Sequence, residues 1–142
     1  MAKRVLLYVE DEDAAAFLLE TALQEAHLEV ELHRVADGEQ ALAFLAHSNG
    51  YKESPEPDLV LLDLNLPRKT GFEVLAEMQH ADHLRKVPVV VFTSSALPKD
   101  RKRSLALGAR EYITKPQTFD ALVGVLKSTY LRMNDSRRSA TI

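Results

Sequence analysis

The sequence predicts an α/β fold, a parallel β-sheet with helices packed on both faces. Three observations carry this prediction. The runs 5–9, 59–62 and 89–92 are short, near-continuous in apolar residues, rich in β-branched side chains and bounded by charged or turn residues, as strands buried on both faces are. Segments with a helical apolar period lie between them. The strand-then-helix order recurs five times, an alternation produced by parallel strands joined by right-handed crossovers.

The elements follow in order. Val5, Leu6, Leu7, Tyr8 and Val9 form the first strand. Ala15, Leu18, Leu19, Ala22, Leu23 and Ala26 then trace one apolar helical stripe. Leu28, Val30 and Leu32 alternate with Glu29, Glu31 and His33, a period of two that reads as a half-exposed edge strand. Asp37-Gly38 opens a short helix carrying Ala41, Leu42 and Leu45. Residues 48–57 are loop by composition, and 59–62 form the next strand. Phe72, Leu75 and Met78 mark a helix, 89–92 a strand, and 98–107 a helix with Pro98 near its start and Gly108 past its end. Glu111-Tyr112-Ile113-Thr114 is the last strand, followed by a helix with its stripe at Phe119, Leu122, Val123, Leu126 and Tyr130. Five such units fit a flavodoxin-like (βα)5 doubly wound sheet of order 2-1-3-4-5. The domain is expected over 1–132, and 133–142, with Arg137 and Arg138 among small polar residues, is expected to be a frayed polar tail.

The 142 residues, 46% hydrophobic and 27% charged, suit one globular domain with its own core. The absence of cysteine excludes disulfides, thiolate zinc sites and cysteine nucleophiles. A net charge of −3 argues against nucleic-acid binding through a broad basic surface. No apolar run is long enough to span a membrane, and the start lacks the pattern of a signal peptide, so a cytoplasmic protein is expected.

In an open parallel sheet, ligands bind beyond the carboxyl ends of the strands, where strand order reverses. The first strand ends in Glu10-Asp11-Glu12-Asp13, the third in Asp63, the fourth in Thr93-Ser94-Ser95 and the fifth in Thr114-Lys115-Pro116. Acidic groups converging there repel one another unless a cation joins them, and hard oxygen ligands suit Mg²⁺. With a lysine and a hydroxyl the set reads as a phosphoryl site with a carboxylate able to attack in line. Singly, each residue has an ordinary alternative: Asp11 or Asp13 as a helix cap, Lys115 as a loop cation, Thr93 as a strand-end hydroxyl. Asp63 in an apolar run is harder to explain without a function.

These residues resemble the receiver domain of two-component response regulators, over roughly residues 3–131. Glu10-Asp11 is similar to the family's acidic pair, Asp63 to the phosphoacceptor, Thr93 to the signalling hydroxyl, Lys115-Pro116 to its lysine and proline, and Tyr112 to its aromatic switch. Asp63 through Pro67 followed by Gly71 resembles the loop after the acceptor strand, where the family's pattern places a metal-ligating backbone carbonyl on Asn65. Ser94 stands where alanine is commoner. The resemblance implies Mg²⁺ (or Mn²⁺) on Glu10, Asp11, Asp63 and the Asn65 carbonyl, and phosphotransfer from a histidine kinase to Asp63 assisted by Lys115. It also implies a switch through Thr93 and Tyr112. The protein is then a phosphoacceptor with self-catalysed phosphotransfer and slow autodephosphorylation only. The stretch from Leu64 to Leu75, the Thr93-Ser94-Ser95 end and the long loop before Pro57 are similar to stand-alone regulators of phytochromes, which implies a phytochrome-type kinase.

With no effector domain in view, output is expected through a downstream protein. The helix over 98–107, the last strand and the last helix form the expected reporting face. That face is also a candidate homodimer surface, because Val125, Leu131 and Met133 fall off the core stripe. Two other readings stand beside this one. An aspartate-nucleophile phosphohydrolase of the haloacid dehalogenase kind needs a second aspartate where Asn65 stands, and a receiver-like scaffold takes no phosphate. His80, Asp82 and His83 read as a solvated helix end rather than a metal site, and Lys99, Arg101, Lys102 and Arg103 as a solvated face with partner recognition as the alternative.

Overall fold

The computed structural model describes residues 3–140. Strands β1 (Arg4–Val9), β2 (Val30–Val35), β3 (Leu59–Leu62), β4 (Val89–Thr93) and β5 (Glu111–Thr114) are parallel and pair in the order β2-β1-β3-β4-β5, as expected. Helices α1 (Asp13–Glu25), α2 (Gly38–Ala46), α3 (Gly71–Gln79), α4 (Asp82–Arg85), α5 (Pro98–Ala106) and α6 (Phe119–Ala140) connect and cover them.

Because side chains alternate along a strand, the apolar runs split between two cores. Leu7, Val9, Val60, Leu62, Val89 and Val91 pack with Ala41, Phe44 and Leu45 of α2 and Val74, Leu75 and Met78 of α3. Leu6, Tyr8, Leu59, Leu61, Val90 and Phe92 pack with Leu19, Ala22 and Leu23 of α1 and Leu126 of α6. Burial on both faces explains why these strands read as continuous apolar runs. The edge strand β2 keeps its charged alternation.

Helix ends follow their sequence signals. Asp37 caps α2 by accepting from the Gln40 N–H at 2.8 Å, and Thr70 with Glu73 forms a capping box on α3. Gly108 follows α5 at φ +105°, a left-handed conformation, with the Gln79 side chain lying where its Cβ would be.

Four details differ from expectation. Leu18 is exposed, because Leu19, Ala22, Leu23 and Ala26 set the centre of the buried stripe and Leu18 lies about 100° around the helix from Leu19. Residues 82–85 add the turn α4, where Arg85 meets Asp82 at 2.6 Å. Val125 and Met133 pack against the α1–α6 core, leaving Leu131 as the exposed member of that trio. The segment read as a polar tail continues the backbone of α6 to Ala140, there being no glycine or proline after Gly124 to stop it, while residues 141 and 142 lie outside the described residues. No helix among the described residues is long and apolar enough to cross a membrane.

Candidate functional site

Sheet register builds the site. Val9 of β1 is level with Leu62 of β3, so Glu10 and Asp63 emerge side by side, one residue beyond the paired strands. Leu62 is level with Val91, which carries Thr93 just past Asp63, and Thr93 is level with Thr114, which places Lys115 next. The Lys115 N–H donates to the Thr93 carbonyl at 2.7 Å and fixes that lysine at the sheet edge.

Carboxylate oxygens of Glu10, Asp11 and Asp63 all lie within 4.8 Å of one another. Glu10 is wholly buried and Asp63 nearly so, whereas Asp11 is exposed. Neither Asp11 nor Asp13 caps α1: Glu12 holds that position, with no side-chain cap bond, and Asp13 pairs with Arg34 at 2.7 Å. The capping explanation for Asp11 is thereby removed.

A buried carboxylate needs donors. Oε1 of Glu10 accepts from the Lys115 ammonium and from the Tyr8 hydroxyl at 3.2 Å, while Oε2 accepts from the Glu12 N–H at 3.1 Å. Asp63 receives Lys115 Nζ on Oδ2 at 3.1 Å and the Asn65 N–H on Oδ1 at 3.3 Å. Burial pulls the Lys115 pKa down, but the hydrogen bond to Glu10 and the charges of Asp63 and Glu10 outweigh it and hold the ammonium above its ordinary value. Burial, and then the negative charge of Glu10, push the Tyr8 phenol well up, so it remains a donor.

Three carboxylates and one ammonium leave a formal charge of −2, which matches one divalent cation. Ligand oxygens on opposite sides of Mg²⁺ are separated by about 4 Å, close to the spread of the cluster. Glu10, Asp11 and Asp63, with the backbone of Asn65 in the adjoining loop, are thus suited to hold such an ion.

Thr93 Oγ1 is buried and has no hydrogen-bond partner among the described residues. Tyr112, half-buried, donates its hydroxyl to the Ser95 carbonyl at 2.8 Å, two residues beyond Thr93. Ser95 Oγ in turn donates to Asp100 at 2.6 Å, at the start of α5. No metal-sized cluster forms at His80, Asp82 and His83 among the described residues.

Two contributors were not singled out from sequence. In the sequence Tyr8 belongs to an apolar run, where a phenol signals a buried hydroxyl in need of a partner. Arg34, the penultimate residue of the edge strand, donates through Nε to the Glu10 carbonyl at 2.8 Å. Its signal was a cation within strand alternation, next to an acidic strand end.

Fold and site together define a doubly wound domain with a cation-sized acidic cluster and a lysine at its topological switch point. The family profile of the response regulator receiver domain matches residues 6–127, and the chain belongs to that family. Response regulator Rcp1 of Synechocystis sp. is 41% identical over 119 residues, spanning 84% of this chain and 81% of that protein. The crystal structure of the Mn²⁺-bound form of Rcp1 superposes with a TM-score of 0.80 at 39% identity, covering 88% of this chain and 90% of that one. The phosphorylated cyanobacterial phytochrome response regulator RcpA superposes at 0.83 with 38% identity, covering 90% and 91%.

Proposed function

We propose that Asp63 accepts a phosphoryl group from the phosphohistidine of a histidine kinase in a Mg²⁺-dependent reaction, with Mn²⁺ as a competent substitute. The observation that carries this reading is the meeting of Asp63 with Lys115 at 3.1 Å inside the Glu10–Asp11–Asp63 cluster. An Asp63 carboxylate oxygen forms a bond to phosphorus as the P–N bond breaks, and the electron pair leaves on the imidazole nitrogen. Glu10, Asp11, Asp63 and the Asn65 carbonyl would hold a divalent cation, which would neutralise phosphoryl charge. Lys115 turns from the carboxylates to a phosphoryl oxygen. Thr93 finds in another phosphoryl oxygen the partner its buried hydroxyl lacks. That movement draws on the loop carrying Ser95, and Tyr112, bonded to the Ser95 carbonyl, reports it to the α5–β5–α6 face.

The likeness to RcpA, described as a phytochrome response regulator, supports a phytochrome-type kinase as donor. Output passes to a downstream protein in the cytoplasm. The reaction is stoichiometric phosphotransfer with slow self-dephosphorylation. The domain reading, with the functional unit within 1–132, rests on the match over 6–127. Self-association through the α5–β5–α6 face remains part of this reading, carried by exposed Leu131.

The test is labelling with acetyl phosphate and Mg²⁺, read by Phos-tag electrophoresis. Wild type is expected to give a shifted band that hydroxylamine removes, and Asp63→Asn none. A shifted band of equal strength in Asp63→Asn overturns the assignment. Transfer from a panel of histidine kinases, phytochrome kinases included, identifies the donor.

A further inference from the structure

Tyr8 sits two residues before Glu10 on β1, so both side chains leave the same face of the strand. Its ring is 1% exposed and tilts against Phe92 with centroids 6.2 Å apart. That packing needs a ring and not a hydroxyl. The hydroxyl has one bond among the described residues, to Glu10 Oε1 at 3.2 Å.

The same oxygen takes the Lys115 ammonium, whereas Oε2 is held by the Glu12 N–H. Oε1 therefore has two donors of different kinds. One stands at the end of a flexible four-carbon stem that also reaches Asp63 Oδ2. The other stands on a ring wedged in the core. On the reading proposed above, Lys115 must leave Glu10 for the incoming phosphoryl group. Without a second donor, that departure leaves Oε1 of a wholly buried carboxylate with no hydrogen bond, even where a cation held by the cluster would neutralise part of its charge, and this opposes the movement. The phenol stays in place when the lysine goes.

We infer that Tyr8 is a positioning residue for phosphoryl acceptance: its hydroxyl keeps Glu10 Oε1 satisfied and so frees Lys115 to pass from Glu10 to the phosphoryl group.

Tyr8→Phe tests this by removing the hydroxyl and keeping the ring. The readout is the single-turnover rate of labelling by phosphoramidate at saturating Mg²⁺, measured well below the melting temperature. A fall of about tenfold is expected, the size of one hydrogen bond to a charged group. A role confined to stability shifts the melting temperature and leaves this rate alone, and a Tyr8→Phe rate equal to wild type overturns the inference. Wild type and Asp63→Asn are run alongside. Failure of wild type to label, or undiminished labelling of Asp63→Asn, overturns the receiver reading and this inference with it. An equal Tyr8→Phe rate with both controls intact overturns the role of Tyr8 alone. Should Tyr8→Phe not fold, a structure of the wild type with Mg²⁺ and beryllofluoride decides. Tyr8 is expected still on Glu10 and Lys115 on a fluorine, whereas Lys115 retained on Glu10 Oε1 refutes the handover.

Discussion

Replacing Gly71 by alanine probes how tightly the chain holds the backbone of Asp63. Gly71 is the first residue of α3, and its N–H donates to the Leu64 carbonyl at 3.0 Å. A Cβ there lies 2.8 Å from Leu64 Cα and 3.1 Å from the Asp63 carbonyl carbon, and closer still to the Asp63 carbonyl oxygen. Moving all three contacts out to about 3.4 Å, where ordinary van der Waals contact begins, takes a shift of about 1 Å, set by the Asp63 carbonyl oxygen. The helix cannot supply that shift easily, because Val74, Leu75 and Met78 are locked in the core at 0%, 1% and 2% exposure. The loop that carries Asp63 yields instead. Overpacking of this kind costs about 1–3 kcal/mol, against a gain of at most about 1 kcal/mol from replacing glycine in a helix. A net loss of about 1–2 kcal/mol is expected in urea denaturation. Displacement of Asp63, the proposed acceptor, lowers the initial rate of acetyl phosphate labelling by about tenfold or more. Phos-tag time courses below the denaturation midpoint measure the second effect separately from the first. An alanine variant with wild-type stability and wild-type rate refutes the close approach and the reasoning built on it.

Three further expectations concern charge and association. Lys115→Met strips the cation from two buried carboxylates and lowers metal-free stability by about 3 kcal/mol, with Mg²⁺ restoring part of the loss in thermal melts; unchanged stability in both conditions refutes the pairing. The Lys115 pKa is raised on folding, so its contribution is complete below its unfolded value of 10.5 and disappears as pH rises through the folded value. The stability gap between wild type and variant stays constant from about pH 7 to 9 and closes only above about 10.5. Asp11→Asn weakens Mg²⁺ binding in calorimetry and raises stability without metal by relieving repulsion, and unaltered affinity excludes Asp11 as a ligand. Any dimer in sedimentation velocity dissociates on Leu131→Glu, and a monomer at micromolar concentration, with and without beryllofluoride, ends the self-association reading.

The fold was legible because each signal was local. Four apolar strands, the alternation in β2, and Pro98 and Gly108 around α5 needed no tertiary information. The meeting of Glu10, Asp63 and Lys115 followed from strand order, which puts the ends of β1 and β3 side by side. What escaped was orientation. The choice between Leu18 and Leu19 as the buried partner in α1, or the inward turn of Val125 and Met133 in α6, depends on how each helix rotates against the sheet, and an apolar period broader than one stripe does not settle that rotation. Tyr8 escaped because one letter in a buried run does not say where its hydroxyl points. The continuation of α6 escaped because weak helix formers without a glycine or proline carry no stop signal.

The direction of the chain has a practical consequence. β1 begins at Arg4 on the edge of the sheet away from the acidic cluster, and α6 runs back to that edge, where Arg132 meets Glu111 at the start of β5 at 2.7 Å. Both ends of the described chain therefore leave from the side opposite Asp63. A linker, fluorophore or surface tether attached at either end stands a sheet's depth, about 15–20 Å for strands of this length, from Asp63. Immobilised protein keeps its acidic face open to solvent, so encounter with the proposed kinase partner can be followed on a sensor surface without the attachment competing for the same approach.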